Sequence, residues 1–269
     1  MSGIEAIRRA FLRAEGTPAK AALIGYLTAG YPDPREFLDL VETAFDAGLD
    51  LLELGVPFSD PVADGKTIQA SSEAALRAGI TLTKTLEIAG RIIERVPEKP
   101  VVLMSYLNPI LRMGIDRFFG ALKSKGVAGV IIPDLIPDEA EAVRDAASRH
   151  ERALVFLVAP NSTTERRKKI LRASTGFLYA IGLEGVTGER DDLSADSAEF
   201  LQTLRKERGE VGRGDLPIAY GFGVSRPEHF RELARHADGV IVGSALIRRA
   251  AESKESLAAF LRTLKGVGS

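Results

Sequence analysis

Two carboxylates stand eleven positions apart in the stretch LELGVPFSDPVADG, Glu53 and Asp64. The apolar run Leu49–Gly55 predicts a strand, and side chains alternate along a strand. If Leu52 and Leu54 face surrounding helices, then Leu51, Glu53 and Gly55 face a barrel interior. A buried glutamate without a partner is costly, or it holds its proton through a raised pKa. The other predicted strand cores contain no Lys or Arg to pair with it. Asp64 follows a loop crowded with Pro57, Asp60 and Pro61, and Gly65 comes next. Two readings of that loop stand side by side. Either the prolines restrain it and hold Asp64 above the barrel mouth, or Asp60 and Asp64 simply form turns, for which Asp is favoured. Two carboxylates in unlike surroundings can divide acid and base roles.

Three loops place glycines directly after apolar runs: Gly185-Val186-Thr187-Gly188, Gly221-Phe222-Gly223 and Gly243-Ser244. Glycine lets backbone N–H groups approach an anion closely, and a helix N-terminus adds a favourable dipole. Ser244 opens the helical stretch ALIRRAAE, as N-cap, phosphate donor or both. The implied ligand is a phosphate monoester held mostly by neutral backbone donors, which suits loops poor in Lys and Arg.

These residues need a scaffold, and the hydrophobic pattern supplies one. Apolar runs recur at Ala22–Thr28, Leu49–Gly55, Val101–Tyr106, Val127–Pro133, Ala153–Val158, Gly176–Ile181, Pro217–Gly221 and Gly239–Gly243. Segments of helical period separate them, among them Pro34–Ala47, Lys84–Val96, Asp138–Arg149, Glu165–Ala173, Glu199–Arg208 and Pro227–Ala237. Strands alternating with helices predict parallel βαβ units, and eight of them suit a closed (β/α)8 TIM barrel. Ser2–Glu15 reads as an extra N-terminal helix across the barrel floor, and Glu207–Asp215 as a loop. No linker divides the chain, so 1–269 is expected to form a single TIM-barrel domain. Active sites of this fold sit at the C-terminal ends of the strands, where Glu53 and the glycine loops fall.

Composition narrows the chemistry. Across 269 residues, 36 Lys+Arg face 37 Asp+Glu, which gives no electrostatic case for nucleic acid or an anionic membrane. The absence of cysteine excludes disulfides and thiolate chemistry, and three histidines supply a metal centre poorly. His229 and His236 fall on one predicted helix face away from the strand ends, so metal ligation by them is not expected. No run reaches the length of a membrane span, and the opening pattern is amphipathic rather than secretory, so a cytoplasmic chain is expected. The basic run Arg166–Lys169 reads as a solvated helix face. Asp134, after the fourth run, reads equally as a site residue or as a turn or helix-start residue.

Seven stretches in order resemble the tryptophan synthase alpha subunit family: LTAGYPD (27–33), LELGVPFSDPVADGKTIQ (52–69), MSYLNPI (104–110), GVIIPDL (129–135), EGVTGER (184–190), YGFGVS (220–225) and GVIVGSALI (239–247). The LGVPFSDPxADG segment is the most specific of them. The resemblance implies a lyase of L-tryptophan biosynthesis that cleaves indole-3-glycerol phosphate to indole and glyceraldehyde 3-phosphate by a retro-aldol reaction. It implies that Glu53 moves protons and that Asp64 accepts a hydrogen bond from the indole N–H. Thr187 would lie on a closing loop and help position Asp64. Gly188, Gly223, Gly243 and Ser244 match phosphate-binding positions, while Tyr26, Tyr179 and Phe222 flank the substrate. Pro57, Asp60, Pro61 and Asn108 match positions near a beta subunit that carries pyridoxal phosphate, in an alpha2beta2 heterotetramer. This chain itself would need no cofactor and no metal. Gly182, Leu183 and Glu184 depart from the family's usual serine and basic residue before GVTG.

Three rival readings remain. A stand-alone indole-3-glycerol phosphate lyase would share the chemistry. A catalytically silent activating subunit would not need both carboxylates. A sugar-phosphate or amino-sugar isomerase barrel would share the phosphate loops but not the LGVPFSDPxADG segment.

Overall fold

The computed structural model describes residues 1–17, 20–182, 195–221 and 223–266. The strands are β1 (Ala22–Thr28), β2 (Leu51–Gly55), β3 (Val101–Met104), β4 (Gly129–Ile131), β5 (Ala153–Val155), β6 (Leu157–Val158), β7 (Leu178–Ile181), β8 (Ile218–Gly221) and β9 (Gly239–Val242). The first helices are α1 (Gly3–Glu15), α2 (Phe37–Asp46), α3 (Lys66–Arg77), α4 (Leu82–Arg95), α5 (Leu107–Met113) and α6 (Ile115–Lys125). They are followed by α7 (Glu141–Arg149), α8 (Thr164–Ala173), α9 (Ala195–Glu210), α10 (Pro227–Leu233), α11 (Ser244–Glu252) and α12 (Lys254–Lys265).

Every strand pair is parallel, in the order β5-β4-β3-β2-β1-β9-β8-β7-β6. The two end strands, β5 and β6, are separated in the chain by Phe156 alone, whose carbonyl accepts from Tyr179 N–H at 3.1 Å. The sheet therefore returns to its own starting strand, and the expected (β/α)8 TIM barrel is the fold. The fifth apolar run is one barrel strand that changes neighbours at Phe156.

Register decides what faces inward. Ile24 pairs with Leu51, Tyr26 with Glu53 and Thr28 with Gly55. The inward residues of the lower layers, including Ile24, Leu51, Val102, Ile131, Val155, Ala219 and Ile241, form one apolar cluster. Leu52 and Leu54 belong instead to the larger cluster shared with the outer helices. The alternation expected from sequence is the one observed.

Helix α1 closes the floor. Ser2 caps it by accepting from Glu5 N–H at 3.2 Å. Its apolar stripe inserts Ile7 and Phe11 into the interior cluster, where both are buried. Each such side chain contributes about 1.5–3 kcal/mol when removed from water. Gly3 has no alternative: a Cβ there would lie 1.7 Å from the Ala128 carbonyl oxygen. With its bottom sealed, the barrel opens only where its strands end.

Three local expectations are corrected. The segment Asp138–Arg149 begins as a 3₁₀ turn, Pro137–Glu139, before α7. Glu139 N–H bonds to Ile136 three residues back, and the α-ladder starts only at Arg144 N–H to Ala140. Helix α9 continues through Glu210, so the first part of the expected Glu207–Asp215 loop is helical. The basic run is not a uniformly solvated face. Arg167 is largely buried and forms a bidentate pair with Glu207, at 2.8 and 2.6 Å, and Lys168 pairs with Glu210 at 2.7 Å. These partners hold the last turns of α9 against α8, which a reading of isolated segments misses.

Candidate active site

Glu53 sits inside the barrel near the C-terminal end of β2, level with Tyr26 on β1 and Val102 on β3. It is 1% exposed, and neither carboxyl oxygen has a hydrogen-bond partner among the described residues. Burial, then the nearby Asp64 charge, raises its pKa from 4.5 to about 8. A salt-bridged structural glutamate would show the opposite shift. Glu53 is therefore a carboxylic acid at neutral pH, able to give a proton to something placed above it.

Asp64 lies on the loop between β2 and α3. Its own N–H closes a turn onto the Pro61 carbonyl at 3.0 Å, and its carbonyl accepts from Gln69 Nε2 at 2.8 Å. The loop is thus both a turn and a holder. The half-buried carboxylate accepts from the Tyr106 hydroxyl at 3.3 Å. Burial raises the Asp64 pKa and the Tyr106 bond lowers it, leaving it at about 6. Asp64 is mostly ionised at neutral pH while Glu53 is mostly protonated, and that separation divides acceptor from acid.

Tyr106 was not singled out from sequence, although it lies in the MSYLNPI stretch at the end of the third apolar run. Its hydroxyl also accepts from Ala63 N–H at 2.9 Å, and its ring stacks on Phe58 at 4.9 Å. One side chain at the N-cap of α5, just after β3, thereby clamps the β2–α3 loop at three points. A tyrosine ending an apolar run was the signal available.

Two further tyrosines line the mouth, each leaning over a glycine of the next strand. A Cβ on Gly55 would lie 2.1 Å from the Tyr26 hydroxyl, and one on Gly221 would lie 2.7 Å from the Tyr179 hydroxyl. Without those glycines the two rings could not take these positions. Burial keeps both phenols well above their ordinary pKa, so they remain protonated donors.

Beyond β1 from Glu53, the rim carries the glycine loops after β9 and β8. Gly221 pairs with Ile241, so the two loops are neighbours. Gly223 has φ +68°, a conformation glycine adopts freely, and it is exposed. Ser244 does not cap α11. Gly243 is the N-cap and Ser244 the first helical residue. The first bond of that helix runs from Ile247 N–H to the Gly243 carbonyl at 3.1 Å. The N–H groups of Ser244, Ala245 and Leu246 precede that bond and are the donors a helix start offers to an anion. Thr187, Gly188 and Phe222 lie outside the described residues.

The remaining candidates separate. Asp134 lies in a turn after β4, which bears out its turn reading, and it accepts from Leu107 N–H at the start of α5 at 3.0 Å. Pro57 and Asn108 meet along one groove with Phe58, Arg112 and Arg117, whereas Asp60 and Pro61 are not among its lining residues. Asp60 is exposed and accepts from Ser59 Oγ at 2.5 Å. His229 Nδ1 lies 3.2 Å from the Gly223 carbonyl and His236 pairs with Glu232. Among the described residues no cluster of His, Cys, Asp and Glu is built to hold a metal ion, and no helix is long and apolar enough to cross a membrane.

A TIM barrel with two carboxylates of unlike acidity at its mouth belongs to the acid–base enzymes of that fold. Comparison with known proteins makes the class specific. The family profile described as tryptophan synthase alpha chain matches residues 12–267. A tryptophan synthase alpha chain of Solibacter usitatus is 45% identical over 91% of this chain and 92% of its own. One of Methanopyrus kandleri is 43% identical over 95% and 89%. A solved tryptophan synthase structure from Mycobacterium tuberculosis superposes with TM-score 0.87 at 38% identity, covering 97% of each chain. The alpha chain of Legionella pneumophila gives 0.86 at 30% identity, covering 99% and 97%. The chain belongs to the tryptophan synthase alpha chain family. It is a carbon–carbon lyase of tryptophan biosynthesis that cleaves indole-3-glycerol phosphate by a retro-aldol reaction.

Proposed function

We propose that Glu53 is the proton carrier of this cleavage and Asp64 the acceptor for the indole N–H. Glu53 gives its proton to indole C3, which makes the ring cationic and turns it into the electron sink. The C–C bond to the glycerol chain then breaks, its electrons return to the ring, and the adjacent hydroxyl becomes the aldehyde carbonyl as its proton passes to the Glu53 carboxylate. The acid is regenerated, and the protonated ring supplies what a cofactor would otherwise provide. The ionised Asp64 carboxylate stabilises the positive charge while C3 is tetrahedral.

The observation that carries this reading is the buried Glu53 carboxyl, without a hydrogen-bond partner among the described residues, beside a second, more acidic one. Gly223, Gly243 and Ser244, with Gly188, hold the phosphate through backbone donors. Tyr26, Tyr179 and Phe222 flank the indole and glycerol, and Thr187 helps position Asp64. The chain functions as one domain over 1–269 in the cytoplasm.

The family name in the solved structures supports a complex with a beta subunit. In our reading Pro57, Asp60, Pro61 and Asn108 face that partner, which carries pyridoxal phosphate, in an alpha2beta2 assembly. The test is indole release from indole-3-glycerol phosphate by the purified chain, with and without a beta subunit. Slow release that rises strongly with the partner supports both the chemistry and the coupling. Fast release alone favours a stand-alone lyase, and no release in either case overturns the residue assignments.

A further inference from the structure

Three hydroxyls stand in file beside Glu53; the reaction above uses the Tyr26 ring to flank the substrate but gives the hydroxyls themselves no task. Tyr26 Oη lies 3.4 Å from Thr28 Oγ1, and Thr28 Oγ1 lies 2.6 Å from Ser71 Oγ. Ser71 Oγ in turn donates to the Ile68 carbonyl at 2.8 Å. All three side chains are buried.

Ser71 Oγ has one proton to share between the Ile68 carbonyl and Thr28 Oγ1, and in the 2.6 Å contact either hydroxyl can be the donor. Thr28 Oγ1 donates to Tyr26 Oη at 3.4 Å, so the tyrosine hydroxyl is an acceptor in that contact. The Tyr26 proton is left over. The contact itself, at 3.4 Å, exceeds the roughly 2.5–3.0 Å of a good O–H···O bond. Tyr26 is therefore a buried donor without a good acceptor, in register with a buried acid whose two oxygens have no partner among the described residues. The hydroxyl lies over Gly55, the next inward-facing position after Glu53 on β2. The other polar groups facing Glu53 are Asp64 on the β2–α3 loop and Tyr179 on β7, and the residue paired with it on β3 is Val102.

We propose that Tyr26 is a positioning residue whose O–H donates to the Glu53 carboxylate whenever Glu53 has released its proton. A carboxylate formed inside the barrel needs such a donor, because an ion buried without one is strongly disfavoured. Burial keeps the phenol protonated throughout, so it donates and never competes for the proton. The inference rests on the reading of Glu53 as the proton carrier.

The test is the pH profile of indole-3-glycerol phosphate cleavage by the purified chain, compared among Tyr26→Phe, Thr28→Val, Tyr179→Phe and Glu53→Gln. Tyr26→Phe keeps the ring over Gly55 and removes only the hydroxyl. A hydrogen bond to a charged group predicts that the limb set by Glu53 moves up by about one unit, with kcat near neutrality down about tenfold and KM within about twofold. Thr28→Val, which leaves the tyrosine its proton, keeps the parental profile. A Tyr26→Phe profile superimposable on the parent overturns the inference, as does the same shift appearing with Tyr179→Phe instead. In either case an inactive Glu53→Gln variant leaves the proton-carrier reading standing, whereas an active one overturns both.

Discussion

The Tyr106 hydroxyl joins two levels of the active site: it donates to Asp64 Oδ2 at 3.3 Å and accepts from Ala63 N–H at 2.9 Å. A side chain just beyond β3 thus sets both the position and the charge of a carboxylate belonging to the preceding βα loop. Tyr106→Phe keeps the stack on Phe58 and removes both bonds. Asp64 loses the contact that favours its ionised form, so its pKa rises above about 6. Cleavage at neutral pH should fall by about tenfold, and the half-buried Ala63 N–H left unpaired should lower stability by about 1–2 kcal/mol. Rate profiles and thermal melting check the two parts separately.

Glu53→Gln should abolish indole release while leaving the fold intact, because a protonated carboxyl and a carboxamide have nearly the same shape. Activity above a few per cent of the parent would contradict the assignment.

The same residue predicts a pH dependence of stability. Its pKa is about 8 folded against an ordinary 4.5, so the folded chain binds more protons in between. Stability from this group is fully present below the ordinary value and declines as pH rises toward about 8. Asp64, raised to about 6, acts in the same direction over a lower window. Denaturant titrations between these limits should show a downward slope with pH that Glu53→Gln reduces.

At Gly243 space is not the obstacle, since a Cβ would find Ile68 Cδ1 and Tyr26 Cβ at 3.7 Å, ordinary contact distance. Gly243→Ala should fold normally. Gly243→Asp should fold too but raise the KM for indole-3-glycerol phosphate at least tenfold, by placing negative charge against the phosphate. Steady-state kinetics on both variants separates charge from bulk, and an unchanged KM in the Asp variant would remove the phosphate from this loop.

Gly221 is the opposite case. Its added Cβ would meet the Tyr179 ring and hydroxyl at 2.7 Å and Ile241 Cβ at 3.0 Å. Gly221→Ala should displace the ring, cost about 1–3 kcal/mol and impair cleavage. Thermal melting together with indole release is the check.

Much of this molecule is written locally. Eight apolar runs between helical segments are enough to imply the barrel, because burying a parallel sheet on both faces demands that pattern. Alternation along Leu51, Glu53 and Gly55 turns the glutamate inward, and the missing basic residues in the other strands leave it unpaired. The LGVPFSDPxADG stretch then identifies the family. What sequence reading left open involves partners distant in the chain. Whether Asp64 is a turn residue or a site residue depends on Tyr106, forty-two positions later. Asp134, in its turn, holds the start of α5 because Leu107 N–H comes to meet it. Arg167 is withdrawn from solvent by Glu207, forty positions away. Strand order and register bring these groups together. A local pattern reports which face a side chain takes, whereas its hydrogen-bond partner is chosen only when the closed sheet brings neighbouring strand ends within about 5 Å of one another.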